Sequence, residues 1–186
     1  MKKRTWLAGL GLAAALAAAP AAAQLYAGGS VGYTQYKDIC DVVAPGVTCD
    51  DNDTGFRVFG GYQFNQHFAL ELGFADLGES SGSGAPGNFI VEAKEAFDLS
   101  MVFSLPVANR LSLLFRLGAH RTRTTVEDTG LEEAKTGSAF TLGAGAEYSF
   151  GKLGIRAEWQ RYDNISGGTV AETDVDVFSI GALYRF

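Results

Sequence analysis

The constraint that does most to limit the fold lies at the carboxy-terminus, residues 176–186. Taken alternately, Phe178, Ile180, Ala182, Tyr184 and Phe186 form one apolar face, and Val177, Ser179, Gly181, Leu183 and Arg185 a smaller, mixed one. A side-chain period of two is the mark of a strand. The length matches the roughly ten residues that a tilted strand needs to cross a bilayer. A strand at this position must pair, because in hydrocarbon an open edge leaves backbone groups unsatisfied. Its natural partner is the first strand, which closes a barrel.

The same alternation recurs seven more times, over residues 25–36, 54–64, 68–77, 97–105, 111–122, 137–150 and 153–162. The connections alternate long and short. Tight turns are expected at Asn65-Gln66-His67, at 106–110 and at Gly151-Lys152, and a Gly/Ser-rich connection over 78–88. Short turns on one side and longer loops on the other are the pattern of outer-membrane barrels. The fold expected is all-β, an eight-stranded antiparallel up-and-down transmembrane β-barrel. The 24 glycines and the 13 Phe plus 7 Tyr, against four prolines, suit many strands with crowded positions.

The opening residues give the compartment. Lys2, Lys3 and Arg4 precede an apolar run over 7–19, and Ala21-Ala22-Ala23 offers a small-residue cleavage site. Residues 1–23 thus have the form of a secretory signal peptide, with residues 24–186 as the barrel domain in the cell outer membrane. Without the three leading cations, 12 basic residues face 21 acidic ones, a formal charge of −9. That balance argues against a nucleic-acid partner. Cys40 and Cys49, with eight residues between them, are expected to form a disulfide in an exported chain. Two thiols without a nearby histidine make a poor metal cage, and no metal or cofactor is expected.

Which face meets lipid follows from the character of each. One face is rich in Leu, Phe, Val and Tyr; the other is mostly Gly, Ala and Ser with isolated charges. Eight strands leave inside only enough room for side chains. The small face therefore lines the lumen, and the bulky face needs hydrocarbon. Arg57, Glu71, Asp98, Arg116, Glu147, Arg156 and Glu158 then point inward, where pairing offsets part of the cost of burying them. The expected result is a salt-bridged plug, with at most a minor pore.

The segments 25–36 (LYAGGSVGYTQY), 59–64 (FGGYQF), 70–74 (LELGF), 115–118 (FRLG), 145–148 (GAEY), 155–159 (IRAEW) and 180–186 (IGALYRF) together resemble the OmpA-type membrane-barrel family. The resemblance implies that Glu71 pairs with Arg156, with Glu147 and Arg116 as further inward charges. The inward lysine of well-known members falls at Val102, so a switching gate is not implied. The resemblance does not extend to a Pro-rich linker or peptidoglycan-binding domain after Phe186, and neither these nor cell-wall tethering is expected. The terminal Phe186 resembles the signal read by the barrel assembly machinery.

The partners expected are outer-membrane lipid, lipopolysaccharide phosphates met by Arg121, Arg123 and Lys135, and an extracellular loop ligand. The acidic residues Asp38, Asp41, Asp50, Asp51 and Asp53, and Asp163, Glu172, Asp174 and Asp176, lack a calcium-loop spacing and read as a solvated surface. The competing class is a lipid A-modifying enzyme, which needs a base and nucleophile at the rim. Only His67 and His120 are present, and neither has a serine at the expected spacing.

Overall fold

The computed structural model describes residues 24–37, 48–84, 87–128, 131–165 and 173–186. The expected signal peptide, Cys40 and the acidic residues Asp38, Asp41 and Glu172 lie outside the described residues. No helix among the described residues is long and apolar enough to cross a membrane.

Ten strands follow in order: β1 (Gln24–Tyr36), β2 (Thr48–Asp50), β3 (Asn52–Gln63), β4 (Phe68–Asp76), β5 (Glu79–Gly84), β6 (Gly87–Ala108), β7 (Leu111–Asp128), β8 (Leu131–Phe150), β9 (Leu153–Ile165) and β10 (Thr173–Arg185). Eight of them are barrel staves, in the order β1, β3, β4, β6, β7, β8, β9, β10, all antiparallel. β1 also pairs with β10, with Gly29 opposite Ala182, and this seam closes the barrel. The seam holds to the last residue, because the Phe186 amide donates to the Leu25 carbonyl at 3.0 Å. Closure satisfies the backbone without water, which is the condition for β structure in lipid.

The outward positions carry the bulky apolar residues, such as Leu72, Leu117, Phe140 and Ile180, all well exposed around the barrel. The inward positions are buried or half-buried. Two glycines make room for specific groups. A Cβ on Gly61 would run into the Tyr26 ring, and one on Gly73 into both the Arg57 guanidinium and the Asp98 carboxylate.

The short turns lie where expected. Asn65 Oδ1 accepts from the His67 and Phe68 amides at 2.8 and 3.1 Å, and Gly151 supplies the positive φ of 68° that the β8–β9 turn requires. The loop side differs from the sequence expectation. β6, β7 and β8 run well past the expected ends, Asp128 pairing with Leu131. The Gly/Ser-rich connection forms β5, sandwiched between β2 and β6. Threonines and valine over 122–126 favour extended backbone, and the antiparallel ladder continues through them.

Candidate functional site

The lumen holds the densest chemistry. Alternation turns Arg57 (β3), Glu71 (β4), Asp98 (β6), Arg116 (β7), Glu147 (β8), and Arg156 and Glu158 (β9) inward, and all but Glu158, which is half-buried, are buried. Glu71 is the centre. Its Oε1 accepts from Arg57 Nη1 at 2.9 Å and Arg116 Nη2 at 2.6 Å. Its Oε2 accepts from Arg156 Nη1 and the Tyr26 hydroxyl, each at 2.9 Å.

Three arginines on one carboxylate would repel one another if nothing else balanced them. Each has a second acid. Arg57 grips Asp98 through Nε at 2.9 Å and Nη2 at 2.8 Å, the two-pronged geometry in which guanidinium and carboxylate pair best. Arg116 donates to Glu158 through Nε at 2.5 Å. Arg156 donates to Glu147 through Nη2 at 3.2 Å. Glu147 also takes a hydrogen bond from Arg185, on the small face of the last strand. With Arg185 added, four arginines meet Glu71, Asp98, Glu147 and Glu158, and the layer is formally neutral.

Aromatic and apolar groups bound this layer on both sides. Toward the short turns lie Tyr26, Phe59, Ala69, Val102, Leu114 and Leu183. Arg57 and Arg156 stack over the Phe59 ring at 5.0 and 5.1 Å, a favourable arrangement for cations away from water. Toward the loops lie Tyr36, Ala75, Leu77, Ala96, Tyr162, Ile165 and Val175. Small cavities of about 10 Å³ beside Arg57 have room for about one water each. Val102, the position where the resemblance implies a lysine in well-known members, is 2% exposed within the lower apolar group.

The two histidines point to different surroundings. His67 sits in the short turn with Nδ1 3.0 Å from the Ser104 carbonyl. His120 is buried in the lumen, Nδ1 2.8 Å from Thr122 Oγ1 and Nε2 2.8 Å from the Asp163 carbonyl. Several loop-side aspartates hold backbone amides: Asp53 accepts from Glu79 N, and Asp174 from Asn164 N. Cys49 is half-buried and packs against the upper apolar cluster; its expected partner, Cys40, is outside the described residues.

A closed eight-stranded barrel with an apolar exterior and an ionic interior is one architecture with many uses, so kinship must come from comparison. The family model described as an outer membrane protein beta-barrel domain matches residues 5–186. The chain belongs to this family. Outer membrane protein A of Yersinia pseudotuberculosis is 32% identical over 95% of this chain and 52% of its own length. The chain thus spans about half the length of the curated relatives it matches. Among solved structures, Neisserial surface protein A superposes with a TM-score of 0.65 at 14% identity, over 87% of this chain and 97% of that one. Ail of Yersinia pestis, in complex with the heparin analogue sucrose octasulfate, gives a TM-score of 0.50 at 20% identity, over 88% and 99%.

Membership in the family places the chain in the outer membrane. In barrels of this class the short turns face the periplasm and the long loops the exterior. The rings Tyr62, Phe68, Tyr148, Phe150, Tyr184 and Phe186 fall near the periplasmic rim and Tyr33, Phe56, Phe97 and Phe178 toward the outer one, as interfacial girdles do. The curated relatives are named outer membrane protein A, not as enzymes.

Three members of the lumen lie on the small face by parity but are not among the charges expected to pair there. Arg185 shares the parity of Leu183, which turns it inward to Glu147. Tyr26 and Phe59 run against the expectation that inward positions are small; the signal for Tyr26 is the glycine Gly61, directly across from it in the register.

Proposed function

We propose that this chain is a small structural barrel of the outer membrane that meets its surroundings through its loops, with a lumen plugged by ion pairs and at most a minor pore. The observation that carries this reading is Glu71 bound at once by Arg57, Arg116, Arg156 and Tyr26. Four donors from four strands, bounded on both sides by buried apolar groups, favour a filled lumen over an open channel. The histidines favour the same reading over a lipid A-modifying enzyme: one is held in a periplasmic turn and the other is buried in the lumen, so neither offers a base to lipid at the outer rim.

Residues 1–23 serve as the export signal, and Cys40 and Cys49 form a disulfide in the first outer loop. Phe186, hydrogen-bonded at the barrel seam, is the residue the assembly machinery reads. The partners are membrane lipid, lipopolysaccharide and a loop ligand. The acidic first loop suits a cationic or neutral ligand better than a polyanion.

Two measurements test the reading. Lipid A from cells with and without the protein should have the same acyl and phosphate composition; a difference in acyl chains would favour the enzyme. Planar bilayers containing the wild-type barrel should show rare, small current steps, whereas frequent large openings would overturn the plug.

A further inference from the structure

The outward face of β7 changes character abruptly. Leu113, Phe115, Leu117 and Ala119 are followed at the same parity by Arg121 and Arg123, both exposed. Across the ladders, Ala119 lies between Leu99 and Phe140, Arg121 between Phe97 and Ser138, and Arg123 between Glu95 and Thr136. All six of these neighbours are exposed on the same outer surface. Two guanidiniums therefore stand at the upper edge of the apolar band, beside two hydroxyls, with Phe97 level with Arg121 and Phe140 one outward position below it.

Among the described residues neither arginine has an ion-pair or hydrogen-bond partner, and Glu95, facing Arg123, stays beyond ion-pair distance. Two other outer-rim cations among the described residues are different. Arg161 grips Asp176 at 2.7 and 2.9 Å, and Lys37 shares that carboxylate at 3.5 Å. On a chain of net negative charge, the β7 rim alone among the described residues combines unneutralised arginines with a depth fixed by hydrocarbon below.

We propose that Arg121 and Arg123, with Ser138 and Thr136 as further donors, dock the phosphorylated head group of an outer-leaflet glycolipid of the lipid A type, its acyl chains lying along Phe97, Leu117 and Phe140. A guanidinium matches phosphate oxygens with two parallel hydrogen bonds. Residues two apart on a strand are about 7 Å apart, so both forks reach one head group. The apolar residues beneath select a phosphate that carries acyl chains over a free anion. This inference rests on the reading that the loops face the outer leaflet.

The test uses the full barrel refolded in detergent and exposed to bis-phosphorylated or dephosphorylated lipid A, with bound lipid read by native mass spectrometry. Each surface arginine contributes about fivefold to anionic-lipid affinity. R121Q should weaken binding of the phosphorylated lipid about fivefold and R121Q/R123Q about 30-fold, and neither should change binding of the dephosphorylated lipid. Equal retention by wild type and the double variant, or no preference of the wild type for the phosphorylated form, would overturn the inference. Unheated gel mobility confirms that each variant is a folded barrel, and the single variants carry the test if the double one does not fold. An epitope inserted between residues 167 and 168 and probed on intact cells separates the two failures. An inaccessible epitope removes the orientation, whereas an accessible one with unchanged lipid retention removes only this site.

Discussion

Arg116 and Arg121 stand five residues apart on β7 and meet opposite surroundings. Arg116 is 4% exposed and holds Glu71 and Glu158 at 2.6 and 2.5 Å. Arg121 is exposed on the outer surface, with no such partner among the described residues. An odd spacing on a strand moves a side chain to the other face. The same guanidinium is thus a structural cross-link on one side of the wall and an accessible charge on the other. Position along the strand adds the second coordinate, because Arg116 lies at membrane depth and Arg121 above it.

The widest gap between the two sides should appear when the hub is removed. Glu71→Ala leaves three buried arginines short of a partner and should lower the urea-unfolding free energy in lipid vesicles by about 3–5 kcal/mol. Arg121→Gln should stay within about 0.5 kcal/mol of wild type; similar losses for the two would erase the distinction. Next in size is the lipid face itself. Leu117, 65% exposed at the middle of the outward band, should cost about 2–4 kcal/mol when replaced by arginine, and a neutral outcome in the same assay would mean that this face does not meet hydrocarbon.

A smaller effect sharpens the inner side. Gly73→Ala forces a Cβ into the Arg57–Asp98 pair and should cost about 1–3 kcal/mol through overpacking; the equivalent change at the outward Gly60, where the nearest atom would be 3.8 Å away, should be close to neutral. Comparable in size is Tyr26→Phe, which removes one donor from Glu71 and should cost about 1.5–3 kcal/mol, the value of a hydrogen bond to a charged acceptor. Thermal melting of the unheated gel band would rank these last two.

Parity explains why so much of this molecule is legible in its sequence. The alternation of Leu, Phe and Tyr with Gly, Ala and Ser marks out the eight staves, the closure of β1 on β10 and the inward direction of Arg57, Glu71 and Arg156, all of which follow from a two-residue period. What pairs with what is not local. That Asp98 takes both prongs of Arg57, and that Arg185 reaches Glu147, depends on the stagger between strands around a closed sheet, which one strand's pattern does not contain. The extended β6–β8 hairpins are hidden for another reason. Beyond Thr122 the apolar alternation of the sequence fades, while the backbone pairing continues.

The central claim is that the inward charges act as one unit around Glu71, and a double-mutant cycle on Glu71 and Arg156 tests it most directly. Unfolding free energies in vesicles are measured for wild type, Glu71→Ala, Arg156→Ala and the pair. A unit predicts that the pair costs less than the two single losses combined, with a coupling of about 0.5–3 kcal/mol. Simple additivity, with each alanine removing its own independent contribution, would contradict it.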